Sequence, residues 1–219
     1  MYNLTHSGVL YLENREDLYR YCRRTGTHLS EFNTPIRIEN HVTDCSHLLE
    51  GCTKFNQFIQ FPLAVKKADN MLLGCTNFNQ FIFLHTINPS ILGLDSKFPI
   101  SHIVRYNTGE GLTLLIGNWY NVATTNTVQV LSELSDSSWS DFYLLIRTIN
   151  RASIKVDTIN LMIPMDLNDA FELFKILNAV FAYNLDLFTD VRLNIAGNTT
   201  FVDKFLHEFQ FLHNFILNT

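Results

Sequence analysis

No stretch of this sequence approaches the roughly 18 consecutive apolar residues that a membrane-spanning helix needs. The richest, residues 170–183, is broken by Glu172, Lys175 and Asn178, so no membrane span is expected. Residues 1–12 have neither the basic start nor the long apolar run of a signal peptide. The chain therefore reads as soluble and made in the cytoplasm. Charge is scarce, at 17% of residues, and its balance is acidic, with a net charge of −5. That argues against a nucleic-acid-binding surface. Arg20, Arg23 and Arg24, with Arg15 nearby, make the one notable basic cluster; it reads as a solvated helix face rather than a phosphate site.

Catalytic motifs are missing as well. There is no nucleophile elbow, zinc-protease helix, P-loop or dinucleotide loop. Gly109-Glu110-Gly111 is followed by no Lys-Ser/Thr pair, and His207 and His213 are six apart rather than the four of a helical metal pair. Residues 136–141 bring carboxylates and hydroxyls together but read as a polar loop. The four cysteines lack the C-x2-C spacing of zinc sites, since Cys45 and Cys52 are seven apart. They read as buried free thiols. No cofactor and no metal are expected, and the chain is read as non-enzymatic; an active site in the C-terminal half is the minor alternative.

What the chain does have is a repeat. Phe32-Asn33-Thr34-Pro35-Ile36, Phe55-Asn56-Gln57-Phe58-Ile59 and Phe78-Asn79-Gln80-Phe81-Ile82 begin 23 residues apart, and Gly51-Cys52-Thr53 matches Gly74-Cys75-Thr76 in the same register. Self-similarity at this period marks a solenoid, whose units bury a core only by stacking. Residues 36–38, 59–61 and 82–84 alternate as short strands. Stacked in parallel, they would bury Ile36, Ile59 and Ile82 in one column, and Ile38, Phe61 and Leu84 in another. Cys45, Leu48, Leu49 and Cys52 suggest a short helix or helical turn between strands. Asn33, Asn56 and Asn79 would form a buried amide ladder, and Phe32, Phe55 and Phe78 an aromatic spine.

The run Val42-Thr43-Asp44-Cys45-Ser46, then Gly51-Cys52-Thr53, then Phe55-Asn56-Gln57 resembles the BspA-type leucine-rich repeats. Residues 32–36 are similar to the related F-N-x-P-I repeats. The resemblance covers roughly residues 9–85, with departures: Phe58 and Phe81 stand where Pro35 keeps the proline, and Ala68 replaces the cysteine of Cys45. It implies an α/β fold, a leucine-rich-repeat-like solenoid of parallel strands and short helices. Repeats of this kind occur in bacterial surface proteins, protists, bacteriophages and large viruses, and they bind by surface rather than by motif.

Residues 10–14 echo residues 36–40 at an offset of 26, and residues 15–24 read as a helix, so the first repeat is an atypical cap. The chain divides into a repeat region, 1–100, and an α/β remainder, 101–219, which either continues the solenoid or forms a small separate domain; continuation is favoured. Residues 102–106 and 112–116 read as strands, with a hairpin slightly favoured over two solenoid edges. Beyond them the pattern gives a helix near 127–134, strands at 142–149 and 158–163, a helix over 166–183, a strand at 191–195 and a capping helix over 199–217.

Alternation along the strands turns Phe58, Phe81, Phe83 and His85 outward, an aromatic patch that either meets a partner or is covered by the chain itself. On the last helix Phe211 and Phe215 fall on or beside the polar side and are the second candidate contact. The expected function is a protein–protein interaction and assembly module. Its partners would be other protein subunits in a homo- or hetero-oligomer, in the setting of a bacteriophage or viral particle. A bacterial adhesin or host-interaction protein is the alternative.

Overall fold

A computed structural model describes residues 8–117, 125–131, 135–164, 166–184, 186, 188, 190–197 and 216–218. The chain is mixed α/β with parallel strands in small open sheets, and it separates into two compact units, Met1–Arg105 and Tyr106–Thr219.

The first unit opens with strand β1 (Leu10–Leu12) and helix α1 (Arg15–Thr25). Asn14 caps the helix by accepting from the amides of Glu16 and Asp17, and the Asp17 carboxylate accepts in return from the Asn14 amide. Such a reciprocal cap satisfies donors that the first helical turn cannot. Strand β2 (Ile36–Ile38) pairs with β1 in parallel, Leu10 opposite Ile36, which is the offset of 26 seen in the sequence. Strands β3 (Ile82–Leu84) and β4 (Ile103–Arg105) form a second parallel pair.

Two expectations for the repeats need correction. Residues 59–61 form no strand, so the three-strand sheet 36–38, 59–61, 82–84 does not exist, although Ile59 and Phe61 do point inward and are buried. Pro62 is one physical reason. It stands 23 residues after Glu39, whose amide donates to the Leu12 carbonyl at 3.1 Å, and proline has no amide to offer a ladder.

The segment between strands is also not helical. Cys45 to Cys52 is a run of turns, closed by Leu48 N to Cys45 O at 3.1 Å and Cys52 N to Leu49 O at 3.0 Å. His47 and Asn70 at φ of 60° and 53°, and Gly51 and Gly74 at 78° and 77°, set the left-handed corners. A helix would spend its amides internally. Turns leave every second one for the next coil: Cys45 N to Lys67 O, His47 N to Asp69 O, Leu49 N to Met71 O and Gly51 N to Leu73 O, at 2.7–3.0 Å. The same ladder continues from Asn70 to Ile91 and from Leu72 to Leu92 at 2.7 and 2.8 Å. Glycine at position 93 is forced, because a Cβ there would sit 2.9 Å from Leu73 Cβ.

Inside the coils, Phe32, Phe55, Phe78 and Phe98 stack with centroids 5.9, 6.0 and 5.8 Å apart and planes within 14°. Tyr21 of α1 meets Phe32 edge-on. The sequence period decays after Leu84, yet the coils do not: Phe98 and β4 belong to a fourth coil, two or three residues shorter than the others. All four cysteines are free and buried.

The second unit holds β5 (Leu112–Ile116), β6 (Thr127–Val130), helix α2 (Asp136–Ala152), β7 (Val156–Ile163), helix α3 (Leu167–Tyr183), β8 (Arg192–Gly197) and β9 (Ile216–Asn218). Its five strands are all parallel, in the order β6-β5-β7-β8-β9. The favoured hairpin is therefore absent, since β4 pairs with β3 and β5 with β6 and β7. Among the described residues these strands pair with one another, and the order doubles back after β6.

Three segments differ from expectation for local reasons. Thr127–Val130 is a strand rather than a helix, its Val128 and Val130 buried on one face, as β-branched alternation favours. Residues 142–149 lie in α2: buried Phe142, Leu145, Ile146 and Ile149 follow helical spacing, and the Ser135 hydroxyl caps the start by accepting from the Ser138 amide. The supposed polar loop at 136–141 is that helix's first turns. The last helix, expected to reach residue 217, cannot do so, because Ile216–Asn218 is a strand paired with β8; residues 199–215 lie outside the described residues.

Burial pushes the thiols of Cys45, Cys52 and Cys75 up to about 12 and raises that of Cys22. A thiol whose folded pKa lies above its unfolded one favours the folded state less as pH rises. Stability should therefore fall from about pH 9, the ordinary thiol value, toward about 12. Iodoacetamide at pH 8.5 (about the free-thiol value) should leave native thiols unmodified and label all four in denaturant, as intact mass spectrometry will read.

Candidate interaction surface

The polar side chains of the first unit are arranged in columns that run from coil to coil. The Asn33 Oδ1 accepts from the Asn56 amide at 2.9 Å and from Gln57 Nε2 at 3.1 Å. One coil on, Asn56 Oδ1 accepts from the Asn79 amide and Gln80 Nε2, both at 2.9 Å. The ladder is real but not buried as expected: Asn33 and Asn79 are exposed and Asn56 half-buried. The reason is that the amides it satisfies lie on the turn into each coil, at the surface.

The ladder also has an end. Pro99 follows Phe98 as Asn79 follows Phe78, so the donor that Asn79 would receive is missing by chemistry. Ile100 stands next, where the preceding coils place Gln57 and Gln80, and it is 82% exposed.

A second column borders the turns. Asp44 accepts from the Ser46 amide at 2.9 Å, and the Ser46 hydroxyl accepts from the Asp69 amide at 3.2 Å. The Ser46 hydrogen bonds hold the Asp44 carboxyl below its usual value. Beside it, His47 meets Glu50 at 2.7 Å, and Arg15 of α1 donates to the carbonyls of His47 and Glu50. Arg20 and Arg23 pair with Glu16, and Arg20 also with Asp17. These carboxylates balance much of the basic cluster's charge on α1 itself.

The aromatic patch expected from Phe58, Phe81, Phe83 and His85 is not an exposed patch. Phe81 is 2% exposed and Phe83 8%, while Phe58 and His85 are half-buried. The fourth coil accounts for Phe81. His102 lies opposite Phe81 in the β3–β4 register, its ring stacked on Phe81 at 4.1 Å and edge-on to Phe98 at 6.1 Å. Of the other two candidates, Phe211 and Phe215 lie outside the described residues. The large apolar side chains that are exposed in the described part of this unit are Tyr19, Leu63, Leu73 and Ile100. The signal for the missed coil was Phe98-Pro99-Ile100, a clipped F-N-x-P-I block arriving after 20 residues instead of 23.

Among the described residues no group of three or more His, Cys, Asp or Glu could hold a metal ion, and no helix is long and apolar enough to cross a membrane. Comparison with known proteins finds no family model, curated protein or solved structure that matches this chain.

Phe81 is buried, so an acidic replacement is not tolerated there. Phe81→Asp should cost about 3 kcal/mol or more, from lost packing and a desolvated carboxylate. Ile100→Asp, at the exposed position, should stay within about 0.5 kcal/mol of the parent. Chemical denaturation of both variants measures the contrast.

Proposed function

We propose that this chain is a non-enzymatic protein–protein interaction and assembly module, whose first unit is a leucine-rich-repeat-like solenoid of the BspA kind. The carrying observation is how the coils use their polar groups. The turn amides, the Asn33–Asn56–Asn79 ladder and the Ser46–Asp69 contact bind one coil to the next, which builds a surface of regularly spaced polar columns, exposed or half-buried. Surfaces of that kind serve binding in repeat proteins. The exposed Ile100 and the half-buried Phe58 and His85 are the side chains assigned to the partner, another protein subunit. The setting we favour is a bacteriophage or viral particle, with synthesis in the cytoplasm.

Quantitative proteomics of purified particles tests this setting. The chain should co-purify at a fixed copy number relative to the major structural proteins, and recovery only in the soluble lysate would count against it. Ile100→Asp should lower incorporation several-fold while the melting temperature of the isolated chain stays within about 2 °C.

A second reading, a small-molecule or catalytic site in the C-terminal half, draws on one observation. The strand order reverses after β6, and open parallel sheets bind ligands where such a reversal leaves a crevice at the carboxyl ends of two strands, here β5 and β7. A thermal-shift screen of nucleotides and sugar phosphates against the full chain discriminates. A saturable stabilisation abolished by Gly117→Val, beside Met162 of β7 at the end of β5, would favour this reading over the first.

A further inference from the structure

Helix α2 carries an exposed face that is complementary to itself. At roughly 100° per residue, Asp136, Trp139, Ser140, Tyr143, Arg147 and Arg151 fall within an arc of about 120°, opposite the buried Leu145 and Ile149. Tyr143 is 48% exposed, and Trp139, half-buried, leans on it with ring centroids 6.2 Å apart. Asp136, Arg147 and Arg151 are exposed, and none of the three is in an ion pair among the described residues. Trp, Tyr and Arg are the residues that dominate the energy of protein interfaces.

The order along the helix decides the occupant. The carboxylate is at the amino end, the aromatic pair in the first half and the two guanidinium groups in the second half. If a second α2 lies antiparallel across a two-fold axis at Tyr143, residues whose numbers sum to about 286 face each other. Asp136 then meets the other copy's Arg151 and Trp139 meets its Arg147, a guanidinium over an indole ring. Tyr143 meets its own counterpart. The antiparallel arrangement also sets the positive end of one helix dipole beside the negative end of the other. A foreign acidic peptide would satisfy the two arginines but would leave Asp136 facing a like charge.

We infer that this face of α2 is a homodimer interface, an isologous antiparallel α2–α2 contact between two copies of the chain. It deepens the assembly reading by naming one subunit partner. It uses residues of the second unit and not Ile100 of the first, so failure of one does not entail failure of the other.

The test is charge exchange on the full-length chain, read by sedimentation equilibrium with circular dichroism to verify folding. The parent should be dimeric. Asp136→Arg alone puts like charges opposite Arg151, and Arg151→Glu alone does the same opposite Asp136. Each should weaken self-association at least about tenfold. An equimolar mixture of the two single variants restores both opposite-charge contacts and should form a heterodimer of near-parental affinity, as should the double variant with itself. A monomeric parent overturns the inference. So does a parental dimer indifferent to both single variants, a mixture that does not recover association, or a monomer that holds a poly-glutamate peptide through Arg147 and Arg151.

Discussion

Each coil of the first unit leaves backbone amides that only the next coil can satisfy. Because Cys45 to Cys52 and its counterpart after Ala68 are built from turns, alternate N–H groups point along the stack instead of back into their own segment. A buried unpaired amide costs about 1–3 kcal/mol, so a coil without its neighbour is unstable in proportion to the donors it exposes. The phenylalanine spine works to the same end. A ring such as Phe55 has one neighbouring ring above and one below, and both faces must be covered for it to be fully buried. Directional and apolar terms thus demand one spacing, and the 23-residue period keeps both satisfied at once.

The side chains legible in the sequence were those whose role repeats. Phe32, Phe55 and Phe78 could be assigned to a spine, and Asn33, Asn56 and Asn79 to a ladder, because identical residues at a fixed interval fall on top of one another when the units stack. The burial of the ladder could not be read the same way, since an asparagine that caps a surface turn and one that caps a buried turn look alike. The fourth coil was hidden because it is shortened and because Pro99 and Ile100 replace the two residues that carry the polar pattern. Missing that coil also misplaced the candidate site, for His102 is what covers Phe81.

In the second unit an apolar run is ambiguous without its cap. Phe142, Leu145, Ile146 and Ile149 fit helical spacing, but the segment between Phe142 and Ile149 is dense enough in apolar residues to pass for a buried strand. Ser135, one residue before the helix, resolves it by holding the Ser138 amide. The strand order was beyond reach for a different reason. Alternation of strands and helices is common to arrays that add each strand beyond the last and to sheets that reverse, and only long-range pairing separates them. β6 beside β5, with β7 on the other side, is such a pairing.

Pro99 gives the first unit a direction. A duplicated 23-residue block inserted between Phe55 and Phe78 would find a free amide donor on one side and an amide acceptor on the other, and could be accommodated with its ladder intact. The same block placed after Phe98 would bring an amide to a proline side chain that has no oxygen to accept it, and its asparagine would start a ladder with nothing beneath it. Lengthening of this protein by gene duplication is therefore open in its middle and closed at that end, and one imino acid decides which.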